Sequence, residues 1–200
     1  MNKEKYLDDI SEIKMLMTKS SGFYSLTSLS GIATGLYSLV GSSIIYWLFK
    51  YKYNSDYLHP DILKYALVDL IIVGLLSIAT SILLTKRQAK LNRELVWSTP
   101  FRKMIKTFSV IFGIGCIVIL NFLLKEEYER FGALMLIFYG LALISSSKYT
   151  FKEVMIIGYI HILLGILATF IPEYSFWLWV TGFGIVHLLF GIVMFLKNGN

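Results

Sequence analysis

Residues 154–196, VMIIGYIHILLGILATFIPEYSFWLWVTGFGIVHLLFGIVMFL, decide the fold of this protein. The stretch contains no Lys or Arg, and its single acid, Glu173, stands beside Pro172 near the middle. Each half is long enough to cross the ~30 Å hydrocarbon core of a bilayer as a helix, which takes about 17 to 25 residues without a charge. The stretch therefore predicts two membrane-spanning helices joined by a tight turn.

The rest of the chain has the same character. Of the 200 residues, 56% are apolar and only 16% are charged, and the mean hydropathy is +0.66. A soluble domain of this size has roughly a quarter of its residues charged. With 15 Gly, 3 Pro and one Cys, the composition also excludes a collagen-like, disordered or disulfide-stapled chain. We therefore predict an all-α polytopic membrane protein.

Six uncharged or nearly uncharged stretches are long enough to span a bilayer, and they pair into three consecutive hairpins. Residues 1–21 form a separate cytoplasmic segment, and residues 22–200 form one transmembrane domain. The predicted spans are residues 23–49, 65–85, 107–124, 131–147, 154–172 and 175–196. No cleavable signal peptide is expected, because the first apolar run begins after about twenty polar residues and is too long for a signal sequence.

The distribution of Lys and Arg predicts the orientation, since basic residues are retained on the cytoplasmic side. With the N-terminus inside, fourteen of the nineteen Lys and Arg lie in inner segments. Both termini are then cytoplasmic, in agreement with an even number of spans. This sorting and the anionic lipid of the inner leaflet account for the net charge of +6, so nucleic acid is not an expected partner.

The N-terminal segment has the pattern of a short amphipathic helix. Tyr6, Ile10, Ile13 and Met17 recur at helical spacing, and the charged residues lie largely on the other side. Such a helix is either an interfacial anchor before the first span or a docking arm for a cytoplasmic protein partner.

Small residues predict where helices approach each other, because helices in lipid associate through close backbone contact. Gly31 and Gly35 form a small-xxx-small pattern in the first span, and Gly184 and Gly191 share one face of the sixth. The pattern indicates packing within the bundle, and a homodimer contact through Gly31 and Gly35 is the alternative.

The last two spans contain a short internal match. His161 precedes Gly165-Ile166 by four residues, and His187 precedes Gly191-Ile192 by the same distance. If the three hairpins were copies of one unit, they would share one orientation and be related by an axis along the membrane normal.

Few polar residues lie at depth in the predicted spans, and these are candidate site residues because they are costly there. The two histidines are equidistant from residue 174 at the turn, about 20 Å along each helix, so they are expected to face each other. One interpretation makes them, with Asp69, stations on a proton or cation path. The other has neutral histidines bonded to each other or to backbone carbonyls. The candidate intramembrane polar site comprises Asp69, His161, His187 and Asn121.

Enzyme signatures are absent from the sequence. It contains no Gly-x-Ser-x-Gly, His-Glu-x-x-His, P-loop or Gly-x-Gly-x-x-Gly pattern. Cys116 lies in an apolar span, and a histidine pair alone supplies too few ligands for a metal. We expect neither catalytic activity, nor a metal, nor a cofactor.

Two parts of the chain resemble known bacterial proteins. The hairpin of residues 160–172 followed by 182–191 resembles the short two-span repeat of HdeD-like acid-resistance membrane proteins. Residues 28–37 and 140–150 are similar to a group of uncharacterised six-span bacterial inner-membrane proteins. The resemblance implies a six-span protein of the bacterial inner membrane and supplies no catalytic residues.

Three roles follow as expectations. The first is a small non-enzymatic accessory or stress-related protein of the cell envelope, acting through packing, as a possible homo-oligomer or with a protein partner. The second is a proton-linked or small-solute permease that uses Asp69, His161 and His187. The third is a membrane tether or sensor that holds a cytoplasmic regulator through residues 1–21.

Overall fold

A computed structural model describes residues 22–52, 60–92, 97, 99–150 and 152–198, and they are almost entirely helical. The predicted amphipathic helix lies outside these residues. Four short elements complete the path in the described residues: a π-helical extension of α1 at Leu48–Lys52, 3-10 turns at Tyr128–Arg130 and Pro172–Tyr174, and a π-helical turn at Thr181–Val186. The α-helices are α1 Gly22–Trp47, α2 Pro60–Asn92, α3 Thr99–Leu124, α4 Phe131–Ser147, α5 Lys152–Phe170, α6 Ser175–Val180 and α7 His187–Asn198.

Within the described residues, six helical segments are long and apolar enough to cross a membrane, which confirms the predicted all-α, six-span class. The last of them combines α6, a π-helical turn at Thr181–Val186, and α7. The end of α2 and the start of α3 extend beyond the predicted spans, residues 65–85 and 107–124. There α2 continues to Asn92 and α3 begins at Thr99, because the charged residues flanking the apolar core are good helix formers and nothing interrupts them.

The three hairpins form as predicted, since α1 packs on α2, α3 on α4, and α5 on α6. The further packing joins α1 to α7 and α4 to α5. These four helices and α6 make the core. The other two helices are peripheral: only 6% of the apolar window of α2 and 11% of that of α3 is buried, against 28–33% for the remaining spans.

Glycines bring α1 and α7 into backbone contact. A Cβ atom on Gly35 would lie 2.6 Å from the Leu188 amide nitrogen and 2.8 Å from the Gly184 carbonyl oxygen. Gly31 faces Gly191 in the same way, with 3.3 Å between its would-be Cβ and the Gly191 Cα. The four predicted packing glycines therefore meet within one chain, and the α1 face proposed for a homodimer is already occupied by α7.

The seam between α4 and α5 repeats the seam between α1 and α7. Gly140 contacts the Gly158 carbonyl oxygen and Ile162, as Gly35 contacts the Gly184 carbonyl oxygen and Leu188. Gly165 contacts Ile137 and the Ala133 carbonyl oxygen, as Gly191 contacts Ile32 and the Ser28 carbonyl oxygen. Equivalent residues are separated by constant differences in residue number. The difference is 105 between α1 and α4, and 26 between α5 and the last span.

These matched seams are related differently from the predicted hairpins. The contacts show that α4 runs antiparallel to α5, and α7 antiparallel to α1. Because the turn at Pro172–Tyr174 reverses the chain between α5 and α7, helix α4 also runs opposite to α1. The two seams are therefore related by an axis in the membrane plane, not along its normal. They form an inverted repeat of contacts, in which one unit, α4 with α5, lies along the chain between the two helices of the other unit, α1 and α7.

Candidate functional site

The two predicted histidines meet where α5 lies beside the last span. Their ring centroids are 5.0 Å apart with an interplanar angle of 85°. Tyr139 from α4 packs against both rings, and Phe183 from the π-helical turn stacks on His187 at 6.0 Å. His161 is fully buried and His187 is 7% exposed. The site is a closed aromatic cluster at the axis of the inverted repeat.

Each histidine donates a hydrogen bond to its own helix. His161 Nδ1 lies 2.9 Å from the Ile157 carbonyl oxygen, and His187 Nδ1 lies 3.1 Å from the Gly182 carbonyl oxygen. A carbonyl oxygen only accepts, so Nδ1 carries the proton in both rings. In a neutral His187 ring Nε2 is then an acceptor, and the Tyr139 hydroxyl donates to it across 2.8 Å. The arrangement matches the sequence interpretation in which the histidines bond to backbone carbonyls.

The π-helical turn at Thr181–Val186 allows both histidines to donate from Nδ1 to a carbonyl oxygen of their own helix in the same way. His161 reaches the carbonyl four residues earlier, whereas His187 reaches the carbonyl five residues earlier. A π-helical turn holds one residue more than an α-helical turn, so these two carbonyls occupy the same place relative to their rings. The extra residue adjusts the sixth span locally at the point where the site is built.

The histidines differ in their second ring nitrogen. His161 Nε2 is buried and has no hydrogen-bond partner among the described residues. It lies beside Gly182, whose would-be Cβ would be 3.4 Å away. In the neutral ring this nitrogen is an acceptor with an unused lone pair, which is costly in an apolar interior. The cluster therefore holds one satisfied and one unsatisfied acceptor.

Helix α3 closes the cluster from the side of Tyr139. The Phe108 and Phe112 rings lie edge-on to the Tyr139 ring, with centroids 5.7 and 6.1 Å away. Gly115 lets α3 approach, since its would-be Cβ would overlap the Phe138 side chain. The α3 rings thus form a second aromatic layer behind Tyr139, on the α4 side of the histidines.

The other two predicted site residues lie elsewhere. The Asp69 carboxylate of α2 lies over Gly41 of α1, where a Cβ would be 2.5 Å from Oδ2. Within the described residues it forms no hydrogen bond to either histidine. Asn121 is exposed on α3. The structure brings together His161 and His187 and separates both from Asp69 and Asn121.

Sequence reasoning missed Tyr139, Phe183 and one ion pair. An aromatic residue in an apolar span is indistinguishable from ordinary packing, so nothing marks Tyr139. The ion pair joins Lys197 Nζ to Glu153 Oε1 at 2.5 Å and ties the end of α7 to the start of α5. A signal for the site exists in the paired motif Gly-x-x-His-x-x-x-Gly, which occurs at residues 158–165 and 184–191.

The residues that the structure describes include no group of three or more His, Cys, Asp and Glu side chains able to hold a metal. Cys116 is a free, exposed thiol on α3. No family model matches this chain, and neither a curated protein nor a solved structure is significantly similar to it.

Proposed function

We propose that this chain is a non-enzymatic protein of the bacterial inner membrane, with both termini cytoplasmic, that acts as an accessory or stress-related component of the envelope. It works through packing and protein contacts and moves no solute. Its resemblance to HdeD-like proteins and the inward bias of its Lys and Arg support the placement. The bilayer is its obligatory surrounding.

The observation that carries this proposal is the separation and closure of the polar groups at depth. A proton or solute path needs polar residues that follow one another along a wet lumen. Here His161 and His187 are enclosed by Tyr139, Phe183 and the α3 aromatics, and Asp69 lies in a different helix interface. These groups do not form a chain across the membrane.

Flux through purified protein in liposomes tests the absence of transport. We expect that an acid pulse, followed with an internal pH-sensitive dye, decays no faster than in empty liposomes. Osmotic shrinkage in small neutral solutes should be unchanged as well. A flux that disappears in His187→Ala or Asp69→Asn would contradict the accessory role and support a permease.

The proposal also states that this protein acts through contacts with a protein partner. The faces of α2 and α3 are the least buried in the bundle, with Ile71 59% and Ile117 71% exposed. A photo-crosslinking residue at either position should give a discrete protein adduct in cells. One at the fully buried Leu136 should give none. Adducts from Leu136 as strong as those from Ile71 would contradict the proposal.

A proton-linked or small-solute permease is the second candidate, and the inverted repeat favours it. Inverted repeats are common in secondary transporters, whose binding sites lie near mid-membrane between the repeats. The histidine cluster occupies that place, and His161 Nε2 has an unused lone pair. The flux measurement above distinguishes the two roles.

The third role expected from the sequence, a tether for a cytoplasmic regulator, depends on residues 1–21. Those residues lie outside the part of the chain that the structure describes.

A further inference from the structure

Six cations stand at the adjoining ends of α2 and α3. Lys86, Arg87 and Lys90 are exposed at the end of α2, and Arg102, Lys103 and Lys106 are exposed at the start of α3. Five of them lie within the last or first turns of the two candidate spans, Lys64–Arg87 and Phe101–Leu124, and Lys90 lies just beyond the first span. Residues 86–106 contain seven basic residues and a single acid, Glu94. The strong excess of positive charge requires counter-charge from outside the segment.

A short connection joins the two helix ends, although the helices pack on different partners. Residues 93–98 alone connect them, so the Asn92 and Thr99 Cα atoms are at most about 25 Å apart. Helix α2 packs mainly on α1, and α3 mainly on α4. The two cationic ends are therefore separated by no more than this distance, on helices that bury little surface.

Aliphatic side chains continue below the cations on both helices. On α2, Ile82 is 48% and Leu83 67% exposed. On α3, Ile105 is 37% and Val110 54% exposed. In a bilayer these faces contact acyl chains, and the cations stand at headgroup level. Apolar walls beneath a cationic rim match one chemical class of ligand, a phospholipid with a negatively charged headgroup.

We propose that the adjoining ends of α2 and α3 form a binding site for anionic phospholipid. The phosphate groups contact the α2 cations Lys86, Arg87 and Lys90 and the α3 cations Arg102, Lys103 and Lys106. The acyl chains lie along the exposed aliphatic faces of both helices. A lipid with two phosphates and four acyl chains carries more negative charge and binds more tightly than a lipid with one phosphate. The leaflet that supplies the lipid follows from the proposed orientation. The lipid chemistry does not depend on it, so the proposal holds whether or not the protein transports a solute.

Native mass spectrometry of the full-length protein tests the site. The probe lipids are a four-chain diphosphate lipid, a single-phosphate anionic lipid and a zwitterionic lipid of matched chain length. We expect the wild type to retain them in that order. The variant Lys86→Gln/Arg87→Gln should lose affinity for the diphosphate lipid by at least about tenfold, because each basic residue near a charged headgroup contributes severalfold.

The matched control removes two exposed cations from another part of the same predicted membrane side. Lys148→Gln/Lys152→Gln lies at the connection between α4 and α5. This control should retain the lipid within about twofold of the wild type. Comparable melting temperatures for both variants would show that both remain folded.

Three results would overturn the proposal. Equal losses in the two variants would show a diffuse charge effect. Equal retention of anionic and zwitterionic lipid would show that the aliphatic faces alone hold it. Displacement of the lipid by millimolar inorganic phosphate would show a site for free phosphate instead. A loss confined to Lys86→Gln/Arg87→Gln, with the three lipids retained in the expected order by the wild type, supports the lipid site.

Discussion

His161 and His187 have the same sequence context but different hydrogen bonds. Both lie in Gly-x-x-His-x-x-x-Gly, and both donate through Nδ1 to their own helix. Only His187 receives a hydrogen bond on Nε2, from Tyr139 of α4. The residue of α1 that corresponds to Tyr139, and would serve His161, is Thr34. Threonine lacks the reach of tyrosine. The asymmetry of the cluster therefore follows from one substitution between equivalent positions.

Removing the hydroxyl of Tyr139 should destabilise the protein. In Tyr139→Phe the buried His187 Nε2 loses its donor, which we expect to lower the free energy of unfolding by about 1 kcal/mol, the range of side-chain hydrogen bonds in membranes. Equilibrium unfolding in mixed micelles measures the change. The control is Tyr159→Phe on α5, whose side chain is 56% exposed. Equal losses in the two variants would contradict the role of the 2.8 Å bond.

The histidines were predictable at this scale, and their partners were not. An imidazole in an uncharged span stands out because it is rare and costly there. Tyr139 and Phe183 are ordinary residues for such a span, and only the fold brings them to the rings. Asp69 stands out equally in the sequence, yet it packs on Gly41 of another interface, since helix identity determines which neighbours a residue meets.

At the scale of helices, glycine spacing determines how closely the seams pack. A Cβ on Gly35 would meet backbone atoms of α7, which cannot move aside independently. A Cβ on Gly31 would come no closer than 3.3 Å to Gly191, and one on Gly113 would meet nothing within 4 Å. The three positions therefore form a graded series.

We expect the unfolding free energies of the alanine variants to follow this series. Gly35→Ala should lose about 1–3 kcal/mol through overpacking. Gly31→Ala should lose less, and Gly113→Ala should be unchanged or slightly more stable, since alanine favours a helix. Unfolding in mixed micelles provides the measurement. A loss in Gly113→Ala as large as that in Gly35→Ala would exclude close seam packing as the cause.

The inverted repeat makes its own prediction about equivalent seams. Gly140 occupies in α4 the place of Gly35 in α1, and its would-be Cβ lies 2.6 Å from the Gly158 carbonyl oxygen. Gly140→Ala should therefore destabilise the protein by about 1–3 kcal/mol, the range expected for Gly35→Ala. A cost for one seam and none for the other would mean that the two seams are not equivalent.

Helix number and class follow from charge-free lengths, and the structure confirms them. Two features of the helices do not follow. The π-helical turn at Thr181–Val186 depends on the fit of Gly182 and Gly184 against neighbours from other helices. The pairing of α1 with α7 joins helices from opposite ends of the chain. Local sequence patterns show which helix faces contain glycine but not which of these faces contact each other.

At the scale of the whole molecule, the sorting of Lys and Arg predicts which ends face the cytoplasm. A cysteine in place of Lys90 should react with membrane-impermeant maleimide only after the inner face is opened. One in place of Lys125 should react in intact cells, because it lies at the other end of α3. Both variants are made in a Cys116→Ala background. The reversed pattern would show that the charge bias does not determine the orientation.

The inverted relation of the two seams has a mechanical consequence. A change in bilayer thickness stretches or compresses both leaflets alike, and it acts on the α1–α7 and α4–α5 contacts in the same sense. Curvature expands one leaflet and compresses the other. Because an axis in the membrane plane exchanges the two leaflets, equivalent ends of the two contacts lie in opposite leaflets, and curvature acts on them in opposite senses.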